Sequence, residues 1–342
     1  MTGESQSAVV ALDVFGGDAG HAVVLGGALR ACDPEGSLRL DPSRILLVGD
    51  EKLIDASLAE LGGDPGFGRL HASETIGMEE KPAAALRAKR DSTIVVGTKA
   101  VRSGEAGAFV SMGNTGAVVG AGTLSLGTLP GVRRPAIAVT QELVGRPITI
   151  LDVGANVSPK ASDLLAYAVM GSVLQSHVLD VQNPRIGLLN IGEEPSKGTE
   201  LLQEAFGLLE ASPLTFAGNI ESGDIFGGEV DVVVADGFTG NICLKLMEGM
   251  AGFMIQLVMA ELESHRVGWG AEALSKLRRR VDYSEYGGAL LLGVEGVVVI
   301  GHGRSDENAV SNALGLATRA LDRGVNRDIV AGMQEAGSVD QG

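Results

Sequence analysis

The sequence predicts an α/β protein: a mostly parallel sheet with helices on both faces. Three observations carry that reading. Short apolar runs such as Ala8–Val14 and Arg44–Gly49 alternate with helical patterns along almost the whole 342-residue chain. Many of these runs end in turns containing Gly, Asn, Ser or Thr. The chain also has 50 glycines and only 4% aromatic residues, which suits tight turns and close approach of backbone to a ligand. Length and a 45% hydrophobic content fit one large α/β domain over residues 8–325, or two interleaved halves, with 326–342 as a fraying tail.

The elements follow in order. Ala8–Val14 is a strand with Asp13 near its end, and Gly16-Gly17 makes a tight turn before a helix from about Gly20 to Ala31. This turn lacks the G-x-G-x-x-G pattern of dinucleotide sites. Arg44–Gly49 is a strand and Glu51–Leu61 a helix, with a loop at Gly62–Gly66. Pro82 opens a helix at a position where a missing N–H does no harm. The strand Ala106–Ser111 runs into Ser111-Met112-Gly113-Asn114-Thr115-Gly116 and then a helix, Ala117–Leu126. There Gly113 and Gly116 leave room for a ligand, and Ser111, Asn114 and Thr115 offer hydrogen bonds, although the same residues would serve a plain N-cap. Ala136–Thr140 and Pro147–Val153 are strands, the second ending in Asp152-Val153-Gly154-Ala155-Asn156 before a helix from about Ser162 to Gln175.

Ile186–Ile191 is the next strand, and Gly192 ends it. The polar loop Glu193–Gly198 carries Lys197, and Ser196 or Thr199 caps a helix whose apolar stripe is Leu201, Leu202, Ala205 and Phe206. Ligands of open α/β sheets bind at the carboxyl ends of strands, where helix N-termini point N–H groups at anions. Lys197 is therefore expected to face a bound anion, with Glu193 and Glu194 turned away or paired with it. Leu214–Gly218 ends at Asn219, and Asp231–Ala235 ends in Asp236-Gly237-Phe238-Thr239-Gly240-Asn241. Gly288–Ile300 reads as a strand interrupted at Gly293 and Glu295, ending at His302 and Arg304 before a final helix to about Leu321. Together these strand ends predict a crevice lined by backbone N–H groups and neutral amides, which suits phosphate.

The helix Thr239–His265 is apolar nearly all round between Met250 and Met259. Such a helix is buried, lies in an oligomer interface, or touches lipid. Trp269 and the basic run Lys276-Leu277-Arg278-Arg279-Arg280 follow it, as an interfacial membrane contact or an acidic partner would require.

Composition excludes several classes. A net charge of −16 and a pI of about 4.7 argue against nucleic-acid binding. Two cysteines, Cys32 and Cys243, define neither a disulfide framework nor a metal site, and are read as reduced core thiols of a cytosolic protein. The N-terminus does not read as a signal peptide, and no uninterrupted apolar run reaches the ~18 residues of a membrane span. Lys197-Gly198-Thr199 reverses the Gly-Lys-Thr order of a P-loop, and H-E-x-x-H and G-x-S-x-G are missing. No metal or cofactor is expected. What remains is an anion crevice without a covalent nucleophile, which fits attack of bound phosphate on an activated acyl group.

The segments LDVFGGDAG, SMGNTGA, LDVGANV, NPRIGLLNIGEEPSKGTEL, GNIESGDIF, VVVADGFTGNICLK and GVVVIGHGRSD resemble those of the bacterial phosphate acyltransferase family of PlsX type, over roughly Val9 to Leu321. The resemblance implies a fold like the isopropylmalate dehydrogenases and phosphotransacetylases. It implies transfer of an acyl group from acyl carrier protein to inorganic phosphate, toward phosphatidic acid. It further implies a cytoplasmic homodimer in peripheral contact with the membrane, with a glycerol-3-phosphate acyltransferase downstream. Its catalytic pair maps onto Lys197 and Asn219, with His302 added as a candidate from its strand-end position. Expected substrate contacts are Asp13, Gly16, Gly17, Ser111, Gly113, Asn114, Thr115, Gly154, Asn156, Asp236 and Asn241. After LDVGANV the family continues with Asp-Cys, a basic residue and Pro, whereas this chain has Ser158, Pro159, Lys160 and Ala161. Residues 158–161 are therefore given no catalytic role. The alternatives are a phosphotransacetylase-type enzyme using acyl-CoA, a decarboxylating dehydrogenase, and a non-catalytic membrane-recruiting scaffold.

Overall fold

The computed structural model describes residues 8–143, 145–264 and 287–338. The expected Trp269 and the basic run at 276–280 lie outside them. Eleven strands occur among the described residues: β1 (Val10–Asp13), β2 (Ile45–Gly49), β3 (Gly68–His71), β4 (Ala108–Ser111), β5 (Ala136–Leu143), β6 (Arg146–Leu151), β7 (Ile186–Leu189), β8 (Phe216–Ile220), β9 (Val232–Val234), β10 (Ala289–Leu292) and β11 (Val297–Ile300).

The chain divides into two compact units. One takes Met1–Pro135 and Tyr286–Ala331, with strand order β3-β2-β1-β4-β11-β10. Its strands run parallel except β10, which pairs antiparallel with β11. The other takes Ala136–Glu285 and Gly332–Gly342, with order β5-β6-β9-β7-β8, antiparallel only between β5 and β6. Strands β1, β2, β4, β7, β9, β10 and β11 are buried along their whole length. That burial on both faces is why they read as continuous apolar runs rather than alternating ones.

Helices cover the sheets at short range. Helix Thr93–Ser103 packs on β1 and β4, and a Cβ on Gly97 would overlap the ring of Phe109 in β4. Helix His21–Ala31 packs against helix Glu307–Asp322, and helix Ala161–Val173 packs on β6 and β9. In the second unit Gln175 donates to Pro147 O, Thr149 Oγ1 and Asp231 O at 2.8–3.0 Å, so one buried amide joins β6 to the entry of β9.

The structure corrects several sequence expectations. The interrupted strand at Gly288–Ile300 is a hairpin, with β10 and β11 joined through a turn in which Gly293 takes φ 89°. Strand β8 covers Phe216–Ile220, so Asn219 lies inside the strand opposite Leu188 rather than after it. Strand β3 was not foreseen, because only short, half-exposed Gly68–His71 forms this edge. Of the tail expected at 326–342, the described part belongs to the helix Val325–Ser338, in which Val325, Ile329 and Ala336 are buried. Helix Gly237–Ser264 is not sunk in the fold: Phe238, Ile242, Leu246, Phe253 and Leu257 are each more than half exposed. Counting uninterrupted apolar runs gave no span, yet Gly237–Leu262 is long and apolar enough by length and composition to cross a membrane.

Gly97→Val is expected to destabilise the fold by about 1–3 kcal/mol, because its side chain must displace the buried Phe109 ring. Urea unfolding checks this. An unchanged midpoint would show that the helix can move off β4.

Candidate active site

In the second unit, the chain leaves β7 at Leu189 and re-enters order as helix Glu200–Glu210. Thr199 caps that helix by accepting from Leu202 N, one of the two caps the sequence allows. Between them the loop carrying Lys197 is fixed by side-chain amides. Asn190 Oδ1 accepts Ile191 N at 2.8 Å, and Asn190 Nδ2 donates to Lys197 O at 3.2 Å. Asn219 Nδ2 donates to Glu194 O at 2.9 Å, and Gln203 Nε2 donates to Ser196 O at 2.8 Å. The Lys197 side chain is 45% exposed, and its Nζ lies 3.9 Å from Glu194 Oε2, the pairing anticipated for this carboxylate. That distance and exposure make a weak pair that an incoming anion can displace. Asn219 is buried, and its Oδ1 has no protein partner.

The turn after β6 is built around Asp152. Its buried carboxylate accepts from Ile137, Gly154, Ala155 and Asn156 N, at 2.6–3.1 Å. Burial pushes this carboxyl above its ordinary value, against the backbone hydrogen bonds that pull it down. Asn156 O accepts Gly237 N at 3.0 Å, which brings the turns after β6 and β9 together. Asn156 Nδ2 donates to Tyr167 Oη, and Asp236 caps the long helix by accepting from Phe238 and Thr239 N. Asn241 is exposed on that helix.

In the first unit the turns after β1, β4 and β11 converge. Asp18 N donates to Gly303 O at 2.7 Å, and a Cβ on Gly16 would lie 2.9 Å from Gly113 N. Asp13, Gly16, Gly17, Ser111, Gly113 and the His302 turn therefore share one strand-end cluster. Gly113 N donates to Ser111 Oγ at 3.0 Å, and Ser111 Oγ donates to Asp13 Oδ2 at 2.7 Å. Burial raises the Asp13 pKa, while the Ser111 hydrogen bond opposes the shift. Asn114 Nδ2 faces the carbonyls of Gly77, Met78 and Glu80 at 3.0–3.2 Å, and its Oδ1 accepts Ala117 N. Thr115 is exposed beside it in the first helical turn. His302 is exposed, and its Nδ1 accepts Arg304 N at 3.1 Å, so in the neutral ring the proton sits on Nε2.

The geometry changes how the expected ligand contacts read. Asp13, Ser111, Asn114, Asn156 and Asp236 were expected to touch substrate. Their side chains hydrogen-bond to protein groups, as do the N–H groups of Gly113, Gly154, Ala155 and Asn156. Strand-end N–H groups cannot all line an anion site when buried carboxylates already take them. These residues hold their turns, and in the second unit Lys197 carries an exposed positive charge. Sequence reasoning passed over Asn190 and left Asp152 out of the site. The available signal was a lone polar residue closing an apolar run, Asn190 in Ile186–Ile191 and Asp152 in Pro147–Val153.

Two strand-end clusters, one in each unit and one of them holding an ordered lysine loop, lie on a mostly parallel α/β fold that solved structures share. A phosphotransacetylase from Streptococcus pyogenes superposes with a TM-score of 0.61 at 17% identity, covering 92% of this chain and 94% of that one. The family model described as "Fatty acid synthesis protein" matches residues 8–328. A phosphate acyltransferase of Heliobacterium modesticaldum is 44% identical over 95% of this chain and 96% of that protein. One from Myxococcus xanthus is 45% identical over 93% and 91%. The chain thus belongs to the phosphate acyltransferase family of PlsX type, and it is an enzyme of acyl transfer involving phosphate.

The raised Asp13 pKa gives a pH test. A carboxyl raised in the fold contributes stability that is complete below its ordinary 3.8 and is lost as pH rises through the raised value. Asp13→Asn lacks that loss. Its stability relative to wild type, from urea unfolding between about pH 4 and pH 8, is therefore expected to improve with rising pH. A difference independent of pH would mean that Asp13 is already ionised without penalty.

Proposed function

We propose that this enzyme transfers a fatty acyl group from the thioester of acyl carrier protein to inorganic phosphate, giving acyl phosphate and the free carrier thiol. The observation that carries the reading is the ordered Lys197, exposed at the carboxyl end of β7 on a loop held by Asn190 and Asn219. A phosphate oxygen attacks the thioester carbonyl carbon, the tetrahedral intermediate collapses, and the C–S bond breaks. The leaving thiolate, with a pKa near ~8.5, needs little help from an acid. Lys197 would hold phosphate charge and steady the oxyanion, with N–H groups of the first turn of helix Glu200–Glu210 beside it. Asn219 and His302 are the accompanying candidates. Of the remaining predicted contacts, Gly154 and Asn241 belong to the same unit as Lys197.

The same reading places the enzyme in the cytoplasm as a homodimer in peripheral contact with the membrane, supplying acyl phosphate to a glycerol-3-phosphate acyltransferase. Its support is the exposed apolar face of helix Gly237–Ser264, which a lone subunit leaves in water.

Purified enzyme is expected to release free thiol from acyl carrier protein only when phosphate is present. Phosphate-independent release would sink the proposal, and faster turnover of acyl-CoA would move it to the phosphotransacetylase type. Lys197→Ala is expected to lower kcat/KM by about 10²–10³-fold while circular dichroism stays native. Replacing Phe253, Met254 and Trp269 with polar residues is expected to weaken sedimentation with anionic vesicles. Unchanged sedimentation would assign that face to a protein interface.

A further inference from the structure

We infer that Asn190 is a positioning residue for Lys197, an inference that rests on the reading of Lys197 as the phosphate-holding cation. Asn190 closes β7, is 9% exposed, and its backbone N donates to Ile220 O at 2.8 Å. Its amide therefore starts from a fixed point between β7 and β8. Oδ1 takes the first N–H of the loop, Ile191, and Nδ2 takes the carbonyl of Lys197 itself. One side chain thus ties the loop's entry to its exit.

Gly198 makes this possible. It adopts φ 83°, and a Cβ there would lie 2.5 Å from Asn190 Oδ1 and 2.9 Å from Nδ2. No other residue lets the backbone sit flat against the amide in that conformation. Asn219 holds the loop's middle at Glu194, and Lys197 N donates back to Glu194 O at 3.0 Å. With the backbone fixed on both sides of Lys197, the flexible side chain begins from a single Cα position and direction. Ordering that lysine before substrate arrives lowers the entropy lost when phosphate binds. Gln203 reaches Ser196 O from the helix but is exposed, so the buried anchors are Asn190 and Asn219.

The decisive variant is Asn190→Asp. It keeps the volume and the acceptor for Ile191 N–H, and it sets a carboxylate oxygen against the Lys197 carbonyl in place of the donor. Steady-state kinetics of the full chain with acyl carrier protein thioester and phosphate should show the phosphate KM raised about tenfold or more, the cost of one lost hydrogen bond to an ordered group. The KM for the acyl donor should stay within about twofold. Asn190→Ala should behave alike. A role in filling space alone would leave Asn190→Asp at wild-type values, and that result overturns the inference.

A second readout does not depend on turnover. Amine-directed acylation followed by peptide mass spectrometry reports the labelling rate of each lysine. In Asn190→Asp the rate at Lys197 should change at least threefold while Lys52 and Lys89 keep theirs. Unaltered Lys197 labelling rejects the positioning role. If labelling changes but phosphate KM does not, Asn190 positions the loop and the reading of Lys197 as the phosphate-holding cation fails instead.

Discussion

A carboxylate buried among backbone N–H groups is the constraint on which the second unit's strand ends depend. Asp152 is fully buried and accepts four such groups. Each hydrogen bond to a charged acceptor contributes about 1.5–3 kcal/mol. Removing the carboxylate from water costs several kcal/mol. Burial pushes its pKa up and the backbone hydrogen bonds pull it down, with burial the larger effect. Four donors from β5 and the turn after β6 thus converge on one carboxyl group and tie the turn to it. The neighbouring turn then fits around it: a Cβ on Gly237 would lie 2.6 Å from Asp152 Oδ2, and one on Gly240 would overlap Asp152 O. The first turn of the long helix thus packs against Asp152 while Asp236 caps it. In the first unit Asp13 plays the same part at the end of β1, through Ser111 and Phe15 N.

This device has an electrostatic consequence. In a chain of net charge −16, carboxylates at strand ends take the N–H groups that would otherwise draw an anion. The proposed attraction for phosphate then rests on Lys197, carried by a loop fixed through other groups. Neutral amides suit that work, because Asn190 and Asn219 anchor carbonyls without adding charge. Glu194 lies 3.9 Å from the half-exposed Lys197 ammonium, a weak pair that leaves the lysine open to an anion.

The βα alternation was legible because the strands are buried on both faces, which writes continuous apolar runs into the sequence. Strand β3 escaped notice for the opposite reason: at the sheet edge, Arg69 is free to pair with Asp55 and Asp64, so Gly68–His71 carries no apolar signature. The β10–β11 hairpin was hidden because Gly293 can mark an interruption or a reversal, and only pairing decides. At the candidate site, Lys197 was legible as a polar residue after a strand, whereas Asn219 lies inside β8. Which amides meet ligand and which meet protein was not legible. Asn114 and Asn190 have the same chemistry in sequence, yet one faces three carbonyls of residues 77–80 and the other a single carbonyl at Lys197. That distinction lives in long-range contacts that local patterns do not encode.

The long helix shows how the strand-end constraint reaches the surface. Gly237, Gly240 and Leu244 are buried and lie on one stripe, so its first two turns belong to the unit that holds Asp152. A segment tied there cannot enter a bilayer. The rest, Lys245–Leu262, is shorter than the ~20 apolar residues a span requires, and Lys245, Glu248 and Glu261 interrupt it. Lys245 and Glu248 pair at 2.9 Å on the helix, an arrangement suited to water or an interface rather than hydrocarbon. Length and composition alone admit a crossing, but the anchoring at Gly237 and Gly240 disfavours it. A helix fixed at one end, with Leu246, Phe253 and Leu257 exposed, presents an apolar face that the proposed peripheral contact would cover.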